Sequence, residues 1–333
     1  MKERVVVTGG AGFIGSHLCE ALLQQGHQVV AIDDLSTGRV DNIRHLLPLP
    51  HFQFVRETIT NRQVLDRIVS ESQIVVHLAA AVGVKLIVED PVRTIQTNVF
   101  GSEAVLTTAN RYGCKVLVAS TSEVYGKGVK VPFREDDDRL IGSTMNSRWA
   151  YATSKAVDEF LALAYHHQFD LPVVIMRFFN TVGPRQTGRY GMVVPRFVRQ
   201  ALRNEPITVY GDGHQSRCFA DVADVVWAIR NLTEHPGAVG QVFNIGSTEE
   251  VTVLELAERV LALTESSSEI QMIPYDEAYA PGFEDMRRRV PSIDKVASLI
   301  GYRPRNTLDD TLRRVIQYEC QQLETAKSPT ANA

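Results

Sequence analysis

The chain has 333 residues, of which 44% are hydrophobic and 22% charged, and its formal net charge is -4. That length supports one large or two interlocked domains with a sizeable core, and the composition is that of an ordinary globular protein. The slight acidity gives no sign of a nucleic-acid or membrane-surface partner, and no apolar run of ~18 residues is present to span a bilayer. The cysteines (Cys19, Cys114, Cys218 and Cys320) lie far apart without metal-ligand spacing, so no metal site is expected. Cys19 and Cys114 fall inside predicted elements and read as small core residues. The first strand begins at Arg4, which leaves no room for a signal peptide, and a cytoplasmic location is expected.

The β-branched run Arg4–Thr8 leads at once into Gly9-Gly10-Ala11-Gly12-Phe13-Ile14-Gly15 and then a helical pattern over 16–25. Strand, tight glycine turn and helix in that order let a backbone approach a pyrophosphate, and the helix N-terminus offers it unpaired N–H groups and positive dipole. A second strand over 28–32 ends in Asp33-Asp34, with Asp33 18 residues past Gly15. A carboxylate there accepts both ribose hydroxyls of an adenosine and repels a 2′-phosphate, which favours NAD over NADP.

Further strands are predicted over 53–55, 74–78 and 115–120, with helical stretches between them, which implies a parallel sheet covered on both faces. The turn after the fourth strand, Leu78-Ala79-Ala80, is small and apolar, as suits backbone passing under a cofactor. A helix over 92–112 carries Asn98 among apolar neighbours, where a buried amide can tie helix to strand. The helix over 150–169 has few polar positions on any face and predicts burial on both sides: one against the sheet, the other against a second copy of the chain.

Tyr151 and Lys155 stand four apart on that helix, one above the other. An ammonium at that range favours the phenolate, which brings a group of pKa ~10 towards use as a general base. Thr121-Ser122-Glu123 ends the fifth strand, between the glycine turn and the Tyr–Lys pair.

Beyond Leu171 the composition changes. From Arg177 to Arg217 there are seven arginines and no lysine, against two acids, Glu205 and Asp212. Arginine without lysine suits bidentate recognition of oxyanions. Helices are predicted over 222–232, 253–263 and 307–323, and 325–333 reads as a polar tail. No internal repeat or clean linker appears. The expected organisation is a Rossmann-type, doubly wound parallel α/β sheet over 1–175, and over 176–324 a smaller, interleaved α/β substrate part that returns in places to the first.

With these residues in place, the chain resembles the extended short-chain dehydrogenases/reductases of the NAD-dependent nucleotide-sugar epimerase/dehydratase family, over roughly residues 3–320. The resemblance rests on T-G-G-A-G-F-I-G-S-H-L from Thr8, T-S-E-V-Y-G from Thr121, Y-x-x-x-K from Tyr151 and R-F-F-N-T-V-G-P-R from Arg177. It implies that Gly9, Gly12, Phe13, Ile14, Gly15, Asp33, Leu78, Ala79 and Ala80 hold NAD, with Asn98 a structural amide. Tyr151 would be the base, and Lys155 would both tune it and bind the nicotinamide ribose. Lys85, Asn180, Arg185, Val194, Tyr210, Arg217 and Arg289 fall where such enzymes meet a nucleotide sugar. Thr58 stands where the family usually carries an adenine-binding aspartate.

Within the resemblance, the residues around Glu123 separate chemistries that all begin with oxidation of the sugar at C4. Dehydratases carry T-D-E; here Ser122 replaces the aspartate. T-S-E, with Arg148-Trp149-Ala150-Tyr151 and Arg289-Val290-Pro291, is similar to UDP-glucuronate decarboxylases, in which carbon dioxide leaves a 4-keto sugar. Thr121 and Ser122 would then bond the 4-oxygen, while Glu123 and Arg289 manage the carboxylate and the C5 proton; Arg289 as a diphosphate anchor stays open. Ala81-Val82-Gly83-Val84-Lys85 looks more like an epimerase loop, so 4-epimerisation of a UDP-sugar is the alternative. A catalytically silent NAD sensor is disfavoured by the intact Tyr151–Lys155 pair.

Overall fold

The computed structural model describes residues 2–83, 90–188, 192–278, 284 and 286–327. In the first half, strands β1 (Arg4–Thr8), β2 (Gln28–Ile32), β3 (Phe52–Val55), β4 (Ile74–His77), β5 (Lys115–Thr121) and β6 (Val173–Phe178) alternate with helices α1 (Phe13–Gln24), α2 (Arg62–Val69), α3 (Pro91–Tyr112) and α4 (Ala150–Phe169). Short strands follow: β7 (Thr181–Val182), β8 (Ile207–Tyr210), β9 (Ser216–Cys218), β10 (Ala220–Asp221), β11 (Gln241–Ile245), β12 (Glu250–Thr252), β13 (Ile270–Ile273) and β14 (Arg288–Arg289). Among them lie helices α5 (Val193–Leu202), α6 (Val222–Glu234), α7 (Val253–Thr264), α8 (Tyr275–Ala278), α9 (Asp294–Ile300) and α10 (Leu308–Lys327).

Seven strands form one parallel sheet in the order β11-β6-β5-β4-β1-β2-β3. Val5, Val6 and Val7 have no exposed surface, because alternate side chains enter two different cores. One core lies under α1 and α6, the other under α2, α3 and α4. The chain walks outward from β1 to β3 and then resumes on the other side with β4. Thr8 pairs with His77 at that reversal, where an open α/β sheet has its ligand crevice. β11 and α6, from late in the chain, complete the sheet and one of its cores. A third core joins α5, α7 and α10 beyond the crevice.

The glycine turn folds more tightly than its pattern implies. Helix α1 starts at Phe13, three residues before the expected 16, and takes Gly15 into its first turn. A Cβ on Gly15 would lie 2.1 Å from the Gly9 carbonyl oxygen, so only glycine allows the helix to begin there. Helix α3 is set by its ends: the Asp90 side chain accepts from Arg93 N, Pro91 opens the first turn, and Gly113 closes it at φ 67°.

Helix α4 departs from the expectation of an all-apolar surface. Ser154, Lys155, Asp158 and Glu159 point inward, and Val157 and Phe160 are 40% and 63% exposed. The buried side is polar because it carries the site, and the apolar stripe faces outward. No helix among the described residues is long and apolar enough to cross a membrane.

Candidate active site

The cleft runs across the carboxyl ends of β1, β4 and β5 and under the β8–β9 region of the second lobe. At one end Gly9, Gly12, Phe13, Ile14 and Gly15 meet Asp33, Leu78, Ala79 and Ala80. Asp33 is held by the N–H groups of Ala11 and Leu35, at 3.0 and 2.8 Å. Burial pushes its carboxyl up, against the pull of those two hydrogen bonds. Asn98 lies behind this surface: its Oδ1 accepts from Ala81 N at 2.8 Å and its Nδ2 donates to Ser154 Oγ at 3.1 Å. Its part is to fix the turn after β4, rather than to line the cleft. The Thr58 hydroxyl bonds that of Thr60. A glycine cradle at a helix start, with a carboxylate at the next strand end, fits an NAD pyrophosphate and adenosine ribose.

At the middle of the cleft, Thr121 ends β5 and its hydroxyl accepts from Glu123 N at 3.2 Å, which turns the chain into the 3₁₀ segment Ser122–Tyr125. That turn aims Glu123 at two arginines. Arg148 Nη2 is 2.6 Å from Oε2 and Arg289 Nη2 is 2.8 Å from Oε1, with side-chain exposures of 12% for Glu123, 2% for Arg148 and 8% for Arg289. Enclosure pushes the Glu123 carboxyl up, but Arg148, Arg289 and the more distant Arg217 outweigh it and hold the group at about 2. Three guanidinium groups thus converge on one carboxylate.

Tyr151 is buried beside this cluster. Burial, then the Glu123 charge, push its phenol above the ordinary tyrosine range, while a hydrogen bond with Thr121 and the Arg148 charge pull it down. The expected partner is engaged elsewhere: Lys155 Nζ donates to Asp158 Oδ2 at 2.7 Å. The i, i+4 spacing brings Lys155 to the right face, but an acid three residues on in the same helix takes its charge.

Of the residues expected to meet a sugar nucleotide, Asn180, Val194, Tyr210, Arg217 and Arg289 line the cleft. Arg185 does not join them: its Nη2 bonds Glu20 Oε1 on α1 at 2.6 Å. Lys85 lies outside the described residues. The arginine-rich stretch proves to be mostly structural, since Arg177 is held by Glu159 and Arg199 by Glu319. Arg196 and Arg217 alone of the described arginines in that run reach the cleft, Arg196 with its guanidinium 3.9 Å from the centre of the Tyr210 ring. Arg148 joins the site without a motif of its own in the sequence; its place three residues before Tyr151 is the one local signal.

The sequence pattern described as the NAD dependent epimerase/dehydratase family matches residues 5–246. The chain belongs to that family. Its cofactor is NAD, and the glycine cradle with Asp33 is the place that fits it. The chain is 41% identical over 320 residues to the UDP-N-acetyl-alpha-D-glucosaminuronate decarboxylase of Bacillus cytotoxicus, covering 96% of this chain and 98% of that one. It is 35% identical to UDP-glucuronic acid decarboxylase 1 of Danio rerio, covering 97% of this chain and 74% of that protein. Among solved structures, the UDP-glucuronic acid 4-epimerase of Bacillus cereus, in complex with UDP-glucuronic acid and NAD, superposes with a TM-score of 0.87 at 31% identity, covering 96% and 99% of the two chains.

Proposed function

We propose that this chain is a nucleotide-sugar decarboxylase that oxidises C4 of a UDP-hexuronate and releases the C5 carboxylate as carbon dioxide. The observation that carries this reading is the clamp of Arg148 and Arg289 on Glu123, with Arg217 near. Guanidinium groups grouped at the sugar end of the cleft suit bidentate contact with a sugar carboxylate, a group that a hexose ring lacks. Relatives that act on two different UDP-hexuronates, one bearing an N-acetyl group at C2, support the same substrate class.

NAD, when bound, accepts the C4 hydride and can return it. Tyr151 takes the proton of the 4-hydroxyl, and Thr121 and Ser122 hydrogen-bond the 4-oxygen. The ketone so formed is β to the carboxylate. The C5–carboxylate bond then breaks, its electron pair passes into an enolate spread over C5, C4 and the 4-oxygen, and a proton later returns to C5. Glu123 is ionised at neutral pH, so it is not the first source of that proton. Its charge opposes a second carboxylate beside it and thereby favours loss of neutral carbon dioxide, while the arginines steer the sugar in.

Proton NMR of the purified protein with NAD and either UDP-glucuronate or UDP-N-acetylglucosaminuronate tests the reading. Conversion of one of them to a UDP-pentose or its 4-keto form is expected. Gluco and galacto forms in equilibrium with the carbon count unchanged would replace it with 4-epimerisation.

The outward apolar stripe of α4 with its neighbour α3, where Val92, Ile95 and Phe100 are 64%, 45% and 58% exposed, is the face on which two copies of this chain would pair.

A further inference from the structure

Asp158 has no part in the chemistry derived above, yet it is among the most enclosed charges in the molecule. Its side chain has 0% exposure and that of its partner Lys155 has 3%. A buried carboxylate beside a catalytic ammonium is costly to desolvate, so its placement calls for a reason.

Its surroundings form a directed chain of hydrogen bonds that begins at the reversal point of the sheet. Thr8 Oγ1 accepts from the N–H groups of Leu78 and Ala79, each at 3.1 Å, so its own proton goes to His77 Nδ1 at 2.8 Å. Burial, then the charge of Lys155, hold the His77 imidazole down at about 3, and it stays neutral. With Nδ1 accepting, the ring proton sits on Nε2 and is donated to Ser102 Oγ at 3.1 Å. Ser102 stands beside Asp158 and pulls its carboxyl down against burial, while Asp158 Oδ1 keeps no hydrogen bond of its own among the described residues. The charged and titratable groups facing Asp158 are Lys155 and Glu159 from α4 and, through Ser102 on α3, neutral His77 from β4. Those facing Tyr151 are Glu123 and Arg148, with Asp158 behind.

We propose that Asp158 is a positioning residue for the base: it anchors the Lys155 ammonium on the side of Ser102 and limits how much of that positive charge reaches Tyr151. The carboxylate thus sets the pH at which the site becomes active, and the Thr8–His77–Ser102 chain ties that setting to the two turns that hold the dinucleotide. The proposal rests on Tyr151 acting as the base, but not on which sugar is turned over.

The test therefore uses no sugar. Ultraviolet difference titration of tyrosinate, taken as the full-length protein minus its Tyr151→Phe variant, reads Tyr151 alone. The same difference is measured in an Asp158→Asn background. The midpoint is expected to fall by about 1 pH unit or more when the carboxylate is removed, because the ammonium is then free to pair with the phenolate. Since the base works as its ionised form, the acid limb of the turnover profile moves to lower pH by the same amount. Asp158→Glu, which keeps the charge, is expected to leave the midpoint near that of the parent. Asp158→Ser gives a second neutral side chain of different size in case Asn does not fold. A lowered melting temperature with the Tyr151 midpoint unmoved in the neutral variants would make Asp158 a structural counter-ion only and overturn the proposal.

Discussion

Arg289 Nη2 lies 2.8 Å from Glu123 Oε1, although the two residues are brought together from a two-residue strand late in the chain and from the end of β5. Removing the guanidinium leaves the clamp with one arm and takes away a contact for the sugar carboxylate. Arg289→Leu is therefore expected to lower kcat/KM for a UDP-hexuronate by about 100-fold or more, the effect of truncating one partner of an enclosed charge pair. NAD affinity, set at the glycine end of the cleft, should stay within about twofold. Carbon dioxide release and nucleotide titration measure the two quantities separately.

Tyr151→Phe keeps the ring, the packing and the helix and removes only the proton-accepting oxygen. Loss of one general base typically costs 10²–10⁴ in rate. Turnover should fall by about that factor with every hexuronate tested, and the melting temperature should hardly change. Full turnover in this variant would remove the mechanism.

Gly15→Ala tests the cradle. The new methyl would stand 2.1 Å from the Gly9 carbonyl oxygen and 2.9 Å from Gly10 Cα, so the turn has to open. Forced overpacking of this kind costs about 1–3 kcal/mol. A lower melting temperature without nucleotide and at least tenfold weaker NAD binding are expected from calorimetry and titration.

What could be read from the sequence was what is local. The glycine turn, Asp33, Thr121-Ser122-Glu123 and the Tyr151–Lys155 spacing are each set within a few residues, and each lies on the cleft. Long-range pairing was hidden. The arginines from Arg177 onward looked like anion receptors because their partners, Glu159, Glu319 and Glu20, come from distant parts of the chain. Asp158 reads in a sequence as an ordinary helix acid, and only the packing of α3 against α4 places it inside. Strands of two to four residues in the second lobe, such as β7 and β14, carry too few side chains for alternation to show.

Phe160 is 63% exposed on the outer stripe of α4, with the Arg139 guanidinium 4.8 Å from its ring centre. The proposed pairing of two copies through this face would bury it, and a carboxylate in its place would be buried with it. Phe160→Glu is expected to shift the solution mass by light scattering from that of two chains to that of one, with unchanged circular dichroism. A single-chain mass for the unaltered protein would count against the pairing.

Glu123 also makes stability depend on pH, with a sign that can be worked out. Its carboxyl is held at about 2 in the folded protein, below its ordinary value of 4.5. The unfolded chain therefore binds the proton more tightly than the folded one. The stabilisation from the charged clamp is fully present above pH 4.5 and is lost as pH falls towards 2. Glu123→Gln lacks that charge at every pH and removes the carboxylate that Arg148 and Arg289 share. At pH ~7 the variant should be less stable than the parent by on the order of 3 kcal/mol. Denaturant unfolding at a series of pH values is expected to show the gap closing as the solution is acidified below the ordinary glutamate range. A gap that stays constant through that range would mean that the clamp contributes packing alone.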